Sequence, residues 1–182
     1  MNAENVSFGK PKVGGSVYVA PKGSTMPKDA TSELDPAFKN LGYISEDGLV
    51  KNIETDTTDI KAWGGDTVLS GTTSYAETFT VNLLETNEET LKTIYGAENV
   101  TGSEGTFSVK TKSADLPEMC VVFEVALTGG RINRICVEHA KIVDRSSEIS
   151  YTDESAIIYP AKFNAFPGAD GTYHTEYYAN AA

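Results

Sequence analysis

The sequence predicts a mainly β fold. The expected architecture is a two-sheet antiparallel sandwich or barrel with one short flanking α-helix, an N-terminal arm and a long interstrand loop. Three observations predict it. Apolar and polar residues alternate with period two after Leu41, most clearly over 75–83, where Phe79, Val81 and Leu83 share one face and Thr78, Thr80 and Asn82 the other. Gly129-Gly130 separates two apolar runs, 119–127 and 132–143, as a hairpin requires. Helical spacing occurs once, at 87–95, so the many short strands have a single helix to pack beside them.

Taken in order, residues 1–40 read as an arm. Pro11, Pro21, Pro27 and Pro36, with Gly9, Gly14, Gly15 and Gly23 among them, interrupt any long periodic run. One short strand is expected at 16–20, where Val17 and Val19 alternate with Tyr18. A single helical turn is expected at 35–40, with Pro36 at its first position. Residues 41–182 form the β domain. It opens with the apolar tripeptide Leu41-Gly42-Tyr43, a turn at Ser45-Glu46-Asp47-Gly48 and an alternating strand over 49–55. An acidic, threonine-rich loop at 56–66 follows, carrying Ile60, the only tryptophan, Trp63, and Gly64-Gly65. Loops of that length are usually functional or disordered, and a tryptophan within one favours function.

Residues 67–73 are expected to run into the 75–83 strand with a bend at Gly71, since glycine inside a strand marks a bulge or close approach. In the helix, Thr86 and Glu89 fit a capping box, Leu91, Ile94 and Tyr95 make one apolar face, and Gly96 fits the C′ position. Strands follow at 106–111 and in the hairpin of 119–127 with 132–143. A three-residue loop at 129–131 would set Val121 against His139, Phe123 against Val137 and Val125 against Ile135, keeping one face apolar. Glu124 and Arg134 would then be diagonal neighbours able to pair. Further strands are expected at 149–152, at 156–166 with an irregularity at Pro160, and at 173–178 after the turn at 167–171.

The formal net charge is −11. That excludes a general nucleic-acid binder, which needs lysine and arginine to displace counterions from phosphates. Residues 1–40 carry five lysines against four acids, a net +1, which leaves −12 for the remainder. No basic, apolar leader follows Met1 and no apolar run is long enough for a membrane helix, so a cytoplasmic chain is expected. Cys120 and Cys136 flank the Gly129-Gly130 turn about three or four residues out of register, roughly 10 Å at ~3.4 Å per residue, which is too far for a disulfide. Two free thiols are expected.

No catalytic constellation emerges. His139 and His174 stand apart in sequence, there is no CxxC pair, and the nucleophile-elbow, zincin, phosphate-loop and dinucleotide motifs are missing. The acid pairs have ordinary readings: Glu88 and Glu89, for example, favour the positive end of the helix dipole. No catalytic residue, metal ligand or cofactor site is therefore expected.

The segments LGYISEDG (41–48), DIKAWGGD (59–66), ETFTVNLLETNEETLKTIYG (77–96) and NAFPGADG followed by YHTEYY (164–178) resemble the major tail, or tail tube, protein family of long-tailed bacteriophages. The likeness covers the chain from about residue 34 onward and rests on the order of these motifs. It implies a tail tube-like fold in which six subunits close into a ring and their inner strands join into a barrel around a channel. Rings would stack into a tube around a tape measure protein, with a tail terminator at one end and distal tail or baseplate proteins at the other. DNA would pass through without specific binding, no membrane would be involved, and the protein would reside in the virion tail after assembly in the bacterial cytoplasm. In this reading Phe8, Tyr43, Ile60, Trp63 and Tyr177 are subunit-interface candidates, and Glu54, Asp56, Glu77 and Glu124 are channel-lining candidates. The alternative is a monomeric immunoglobulin-like decoration or host-attachment module, with a small carboxylate-dependent hydrolase a distant third.

Overall fold

A computed structural model describes residues 6–12, 15–103, 105–144 and 148–180. The first five residues of the expected arm, and Gly14 within it, lie outside the described residues. In chain order the strands are β1 (Gly9–Pro11), β2 (Val17–Pro21), β3 (Lys39–Asn40), β4 (Ile44–Lys61) and β5 (Thr67–Leu83). Helix α1 (Glu88–Tyr95) and a 3-10 turn (Ala97–Asn99) follow. The remaining strands are β6 (Val100–Ser103), β7 (Thr106–Val109), β8 (Met119–Leu127), β9 (Arg131–Ile142), β10 (Tyr159–Ala165) and β11 (Thr175–Asn180). The fold is mainly β and antiparallel, with one α-helix, as expected. A nine-stranded sheet runs in the order β3-β2-β8-β9-β10-β5-β4, with β1 added to β8 and β11 to β9; β6 and β7 form a small second sheet.

Side chains from well-separated strands of the large sheet meet in one core, so the sheet curls around it. Val17 and Val19 of β2, Phe79, Val81 and Leu83 of β5, Val121 and Phe123 of β8, Val137 of β9 and Phe163 of β10 all belong to it. Phe79 stacks on Phe123 with ring centroids 5.3 Å apart, and Phe163 meets Phe123 edge-on. Alternation explains this face, but residues 120–124 of β8 are buried without a break. The reason is a second cluster on the opposite face, where Cys120, Val122 and Cys136 pack with Ala20 and Phe38.

That second cluster corrects the reading of residues 1–40 as an arm. β2 is a member of the large sheet, paired with β8 from Val17↔Phe123 to Pro21↔Met119. The segment that follows crosses the outer face of β8 and β9, and Phe38 and Ala30 are buried there. Its prolines and glycines shape a strap rather than a free tail. Arg134 holds that strap, donating to the backbone carbonyls of Asp29 and Ser32 at 2.9 Å each.

The β8–β9 hairpin closes over Thr128-Gly129-Gly130, with Leu127 opposite Arg131, Phe123 opposite Ile135 and Val121 opposite Val137. The register is two residues from the expected one. Both glycines have positive φ, 82° and 70°, which lets the turn begin one residue earlier. A shift of two keeps every side chain on its predicted face, but it sets Glu124 directly opposite Arg134.

Two other elements differ from expectation, and the irregularity expected at Pro160 takes the form of a one-sided stretch of strand. The helix cap is Asn87 rather than Thr86: its side chain accepts from the Thr90 N–H at 2.8 Å, while the Thr86 hydroxyl meets Tyr159 Oη at 3.0 Å. No strand forms over 149–152, where Ile149 packs on the core without joining a ladder. Pro160 lies inside β10, where that strand pairs β5 throughout but β9 only from Phe163 to Ala165, so the missing N–H falls in a half-paired stretch.

Candidate assembly interface

The expected loop at 56–66 is the outer part of a long β-hairpin, a second correction. β4 and β5 pair from Leu49↔Val81 out to Lys61↔Thr67. Threonine, serine and aspartate along this stretch hide it from a pattern search, because neither face is buried within the chain and no apolar period develops. The expected turn at Ser45-Glu46-Asp47-Gly48 is a bulge near the base of β4: the register jumps from Ile44↔Leu83 to Leu49↔Val81, and Asp47 accepts from Ser45 and Asn82. The irregularity in β5 falls at Thr73, between the pairs of Ser74 and Thr72, and not at Gly71.

The base of the hairpin is firmly seated. Leu41 is fully buried. The Glu85 carboxylate accepts from the Tyr43 N–H at 2.8 Å. Gly42 has φ 87°, and a Cβ there would lie 2.3 Å from that carboxylate, so this position needs glycine. Beyond Glu77↔Ala165 no further β10 partner follows β5. The outer residues 54–61 of β4 therefore reach about 27 Å past Ile53, at ~3.4 Å per residue, with only β5 beside them. Every residue from 51 to 76 is exposed. A two-stranded ribbon is at best marginally stable alone in water.

The tip closes through hydrogen bonds from the Ala62 N–H to the Asp66 carbonyl at 2.7 Å and from the Gly65 N–H to the Ala62 carbonyl at 3.0 Å. Gly64 and Gly65 take φ of 114° and 100° there. Trp63 is fully exposed at the apex. Ile60 pairs with Leu69, and both are exposed beside Val68. Val68 and Leu69 were not anticipated; Leu69 lies opposite Ile60, an apolar cross-strand pair that is the signal that would have found it, and Val68 falls in the register shift beside that pair.

The channel-lining candidates separate into two pairs. Glu54 and Asp56 are exposed two residues apart on one face of β4, accepting from Asn52 Nδ2 and Ser74 Oγ at 2.7 Å each. Glu77 and Glu124 are buried and paired inside the chain, which corrects their assignment as solvent-facing acids. Glu124 accepts from Arg134 Nε at 2.8 Å and from Lys12 Nζ at 2.7 Å. Glu77 accepts from the Tyr75 hydroxyl and lies against His174 Nδ1.

His174, apparently isolated in sequence, links two carboxylates. Its other nitrogen lies 3.2 Å from Glu176, which also pairs with Lys51 and accepts from Tyr178. This network joins the hairpin base to β11. Burial works to raise the Glu176 carboxyl, but hydrogen bonds from Lys51, Tyr178 and His174, with the Lys51 charge, outweigh it and hold the carboxyl at about 2. The same kind of bond to a carboxylate raises the Tyr75 and Tyr178 hydroxyls. Desolvation pushes the Cys136 thiol up to about 12 and raises that of Cys120, so both buried thiols stay protonated and unreactive.

Of the other interface candidates, Tyr43 and Phe8 are exposed, at 77% and 78%, on segments whose backbones are anchored. Tyr177 instead packs partly against the second core cluster. Among the described residues no cluster of histidine, cysteine and acids could hold a metal ion, and no helix is long and apolar enough to cross a membrane. What stands out is a curled antiparallel body with one unsupported ribbon and apolar side chains at its tip.

The sequence model of the family described as phage tail tube protein matches residues 4–182, nearly the whole chain. The chain belongs to the phage tail tube protein family. No curated protein matches it. As a tail tube protein it is a structural component of a phage tail, and self-association is the activity its surface must serve. The match spans the strap, the hairpin and the terminal strand alike.

Proposed function

We propose that six copies of this tail tube protein close into a ring and that rings stack into the tube, each copy burying its distal hairpin against a neighbour. One observation carries this reading: an exposed ribbon about 27 Å long bears Ile60, Trp63, Val68 and Leu69 at its end. Solvated ribbons of this kind are marginal, and exposed tryptophan with flanking aliphatics is the composition of an interface anchor. The outer edge of β4 and that of β11 carry no further strand among the described residues. Ring closure would cover such edges and remove the hazard of indiscriminate pairing.

Glu54 and Asp56 remain the channel-lining candidates, because both are exposed on one face. In a chain of net −11, acidic walls would repel DNA and let it slide without sticking. The tube would enclose a tape measure protein and meet a terminator and distal tail proteins at its ends. It would be built in the bacterial cytoplasm and carried in the virion as the conduit for DNA delivery. Negative-stain images of the purified protein test the reading: rings or tubes are expected, and Trp63→Ala should yield a folded protein, by circular dichroism, that forms none. Strict monomers at high concentration would contradict it.

A further inference from the structure

We infer that residues 173–176 brace the root of the β4–β5 hairpin from one side and so set the direction in which the distal ribbon leaves the body. The ladder between β5 and β10 ends at Glu77↔Ala165. The chain then turns at 167–171, where the Gly168 N–H donates to the Thr172 carbonyl at 2.9 Å and the Asp170 carboxylate accepts from the Thr172 N–H at 3.0 Å. This turn brings Tyr173 and His174 against β5 where β10 has ended. Tyr173 meets Tyr75 edge-on, with ring centroids 4.8 Å apart. His174 sets one ring nitrogen against Glu77 and the other 3.2 Å from Glu176. Glu176 in turn pairs with Lys51 of β4.

These contacts fall on one face of the hairpin. Tyr75 and Glu77 alternate with Phe79 along β5, and Lys51 stands opposite Phe79, so all of them share the face that continues the core. On the other face Asn52, Glu54 and Ala76 are exposed. Side-chain exposure is only 4% at Glu77, 15% at His174 and 17% at Glu176. The bonds therefore escape most of the solvent screening that makes surface pairs weak. Both strands of the hairpin are gripped, β4 at Lys51 and β5 at Tyr75 and Glu77, so its root resists both tilting and twisting.

The hairpin, and not β11, is the member that needs holding. β11 pairs with β9 along its whole length, from Thr175↔Cys136 to Asn180↔Arg131, and Ile135 and Val137 seat β9 in the core. The hairpin beyond Ile53 has only its own two strands. The contacts therefore act from the body on the ribbon. The brace belongs to the single chain and stands whether or not copies assemble. A ribbon already aimed gives up less orientational freedom when it meets another surface.

Spin labels at Thr57→Cys in the ribbon and Thr101→Cys in β6, both exposed positions, read the direction by electron–electron double resonance on dilute protein. The native thiols are buried and do not compete for the label. The labelled chain should give one narrow distance distribution. Tyr173→Ala with His174→Ala should broaden it several-fold, whereas Tyr173→Phe, which keeps the ring, should leave it narrow. Lys51→Met with Tyr75→Ser breaks two of the contacts from the ribbon side and should broaden it as well. Circular dichroism shows whether each variant is folded; should the first fail to fold, the second decides, because Lys51 and Tyr75 are exposed. A distribution that stays narrow in either folded double variant would overturn the brace, as would a broad one in the labelled parent or equal broadening by Tyr173→Phe.

Discussion

Glu124 and Arg134 face each other across β8 and β9, each almost fully buried. Breaking such a buried pair typically costs about 3–5 kcal/mol, and removing Arg134 would leave the buried Glu124 carboxylate with Lys12 as its remaining cationic partner. Arg134→Met should approach that loss, since it also frees the strap carbonyls of Asp29 and Ser32; urea denaturation measures it. Glu124→Gln combined with Arg134→Met should recover part of the loss, because no buried carboxylate is then left to rely on Lys12 alone. The sequence suggested that these two residues could pair, but it could not make them direct partners. Their opposition depends on a turn starting at Thr128, and two glycines permit several starts. Glu176 gives a prediction in pH. Its carboxyl is depressed from 4.5 to about 2 in the fold, so its contribution is fully present above 4.5 and is lost as pH falls through about 2. The stability difference between wild type and Glu176→Gln should therefore narrow over that window, as thermal melts at successive pH values would record.

The hairpin of β4 and β5 is the element least legible in the sequence and most informative in the structure. Pattern reading finds a strand by the face it buries, and the outer ribbon buries none within one chain. What was legible was the odd content of the segment: one tryptophan, one isoleucine and two glycines amid threonine and aspartate. The strap was misjudged for a related reason, since Pro11, Pro21, Pro27 and Pro36 advertise irregular backbone but not what that backbone covers. Helix α1, by contrast, was read to within one residue, because caps and apolar spacing are local. If the ribbon serves only other copies, the body should not miss it. Excising residues 56–74 and joining Thr55 to Tyr75, paired in the parent, by Asn-Gly should change the melting temperature by no more than about 3 °C. The same variant should fail to form tubes in electron micrographs.

At the scale of the whole molecule, period-two alternation and one capped helix sufficed to give the fold class, because the strands that build the core, β2, β5, β8, β9 and β10, each have a buried face. The charge distribution did not resolve into a channel by inspection, since the acids on predicted strands include both solvent-facing and buried ones. Of the four acids proposed for a channel wall, Glu54 and Asp56 are the exposed ones. Replacing both with lysine should permit assembly but slow DNA ejection from reconstituted phage, measured as DNA released over time. Unchanged ejection would place them elsewhere in the tube. The central claim is that the distal hairpin is the joint between copies. Amide hydrogen exchange over residues 54–75, compared between dilute unassembled protein and assembled tubes, tests it most directly. Rapid exchange in the free protein and strong protection in tubes is the predicted result. Tubes in which this ribbon exchanges as fast as in the free protein would contradict it.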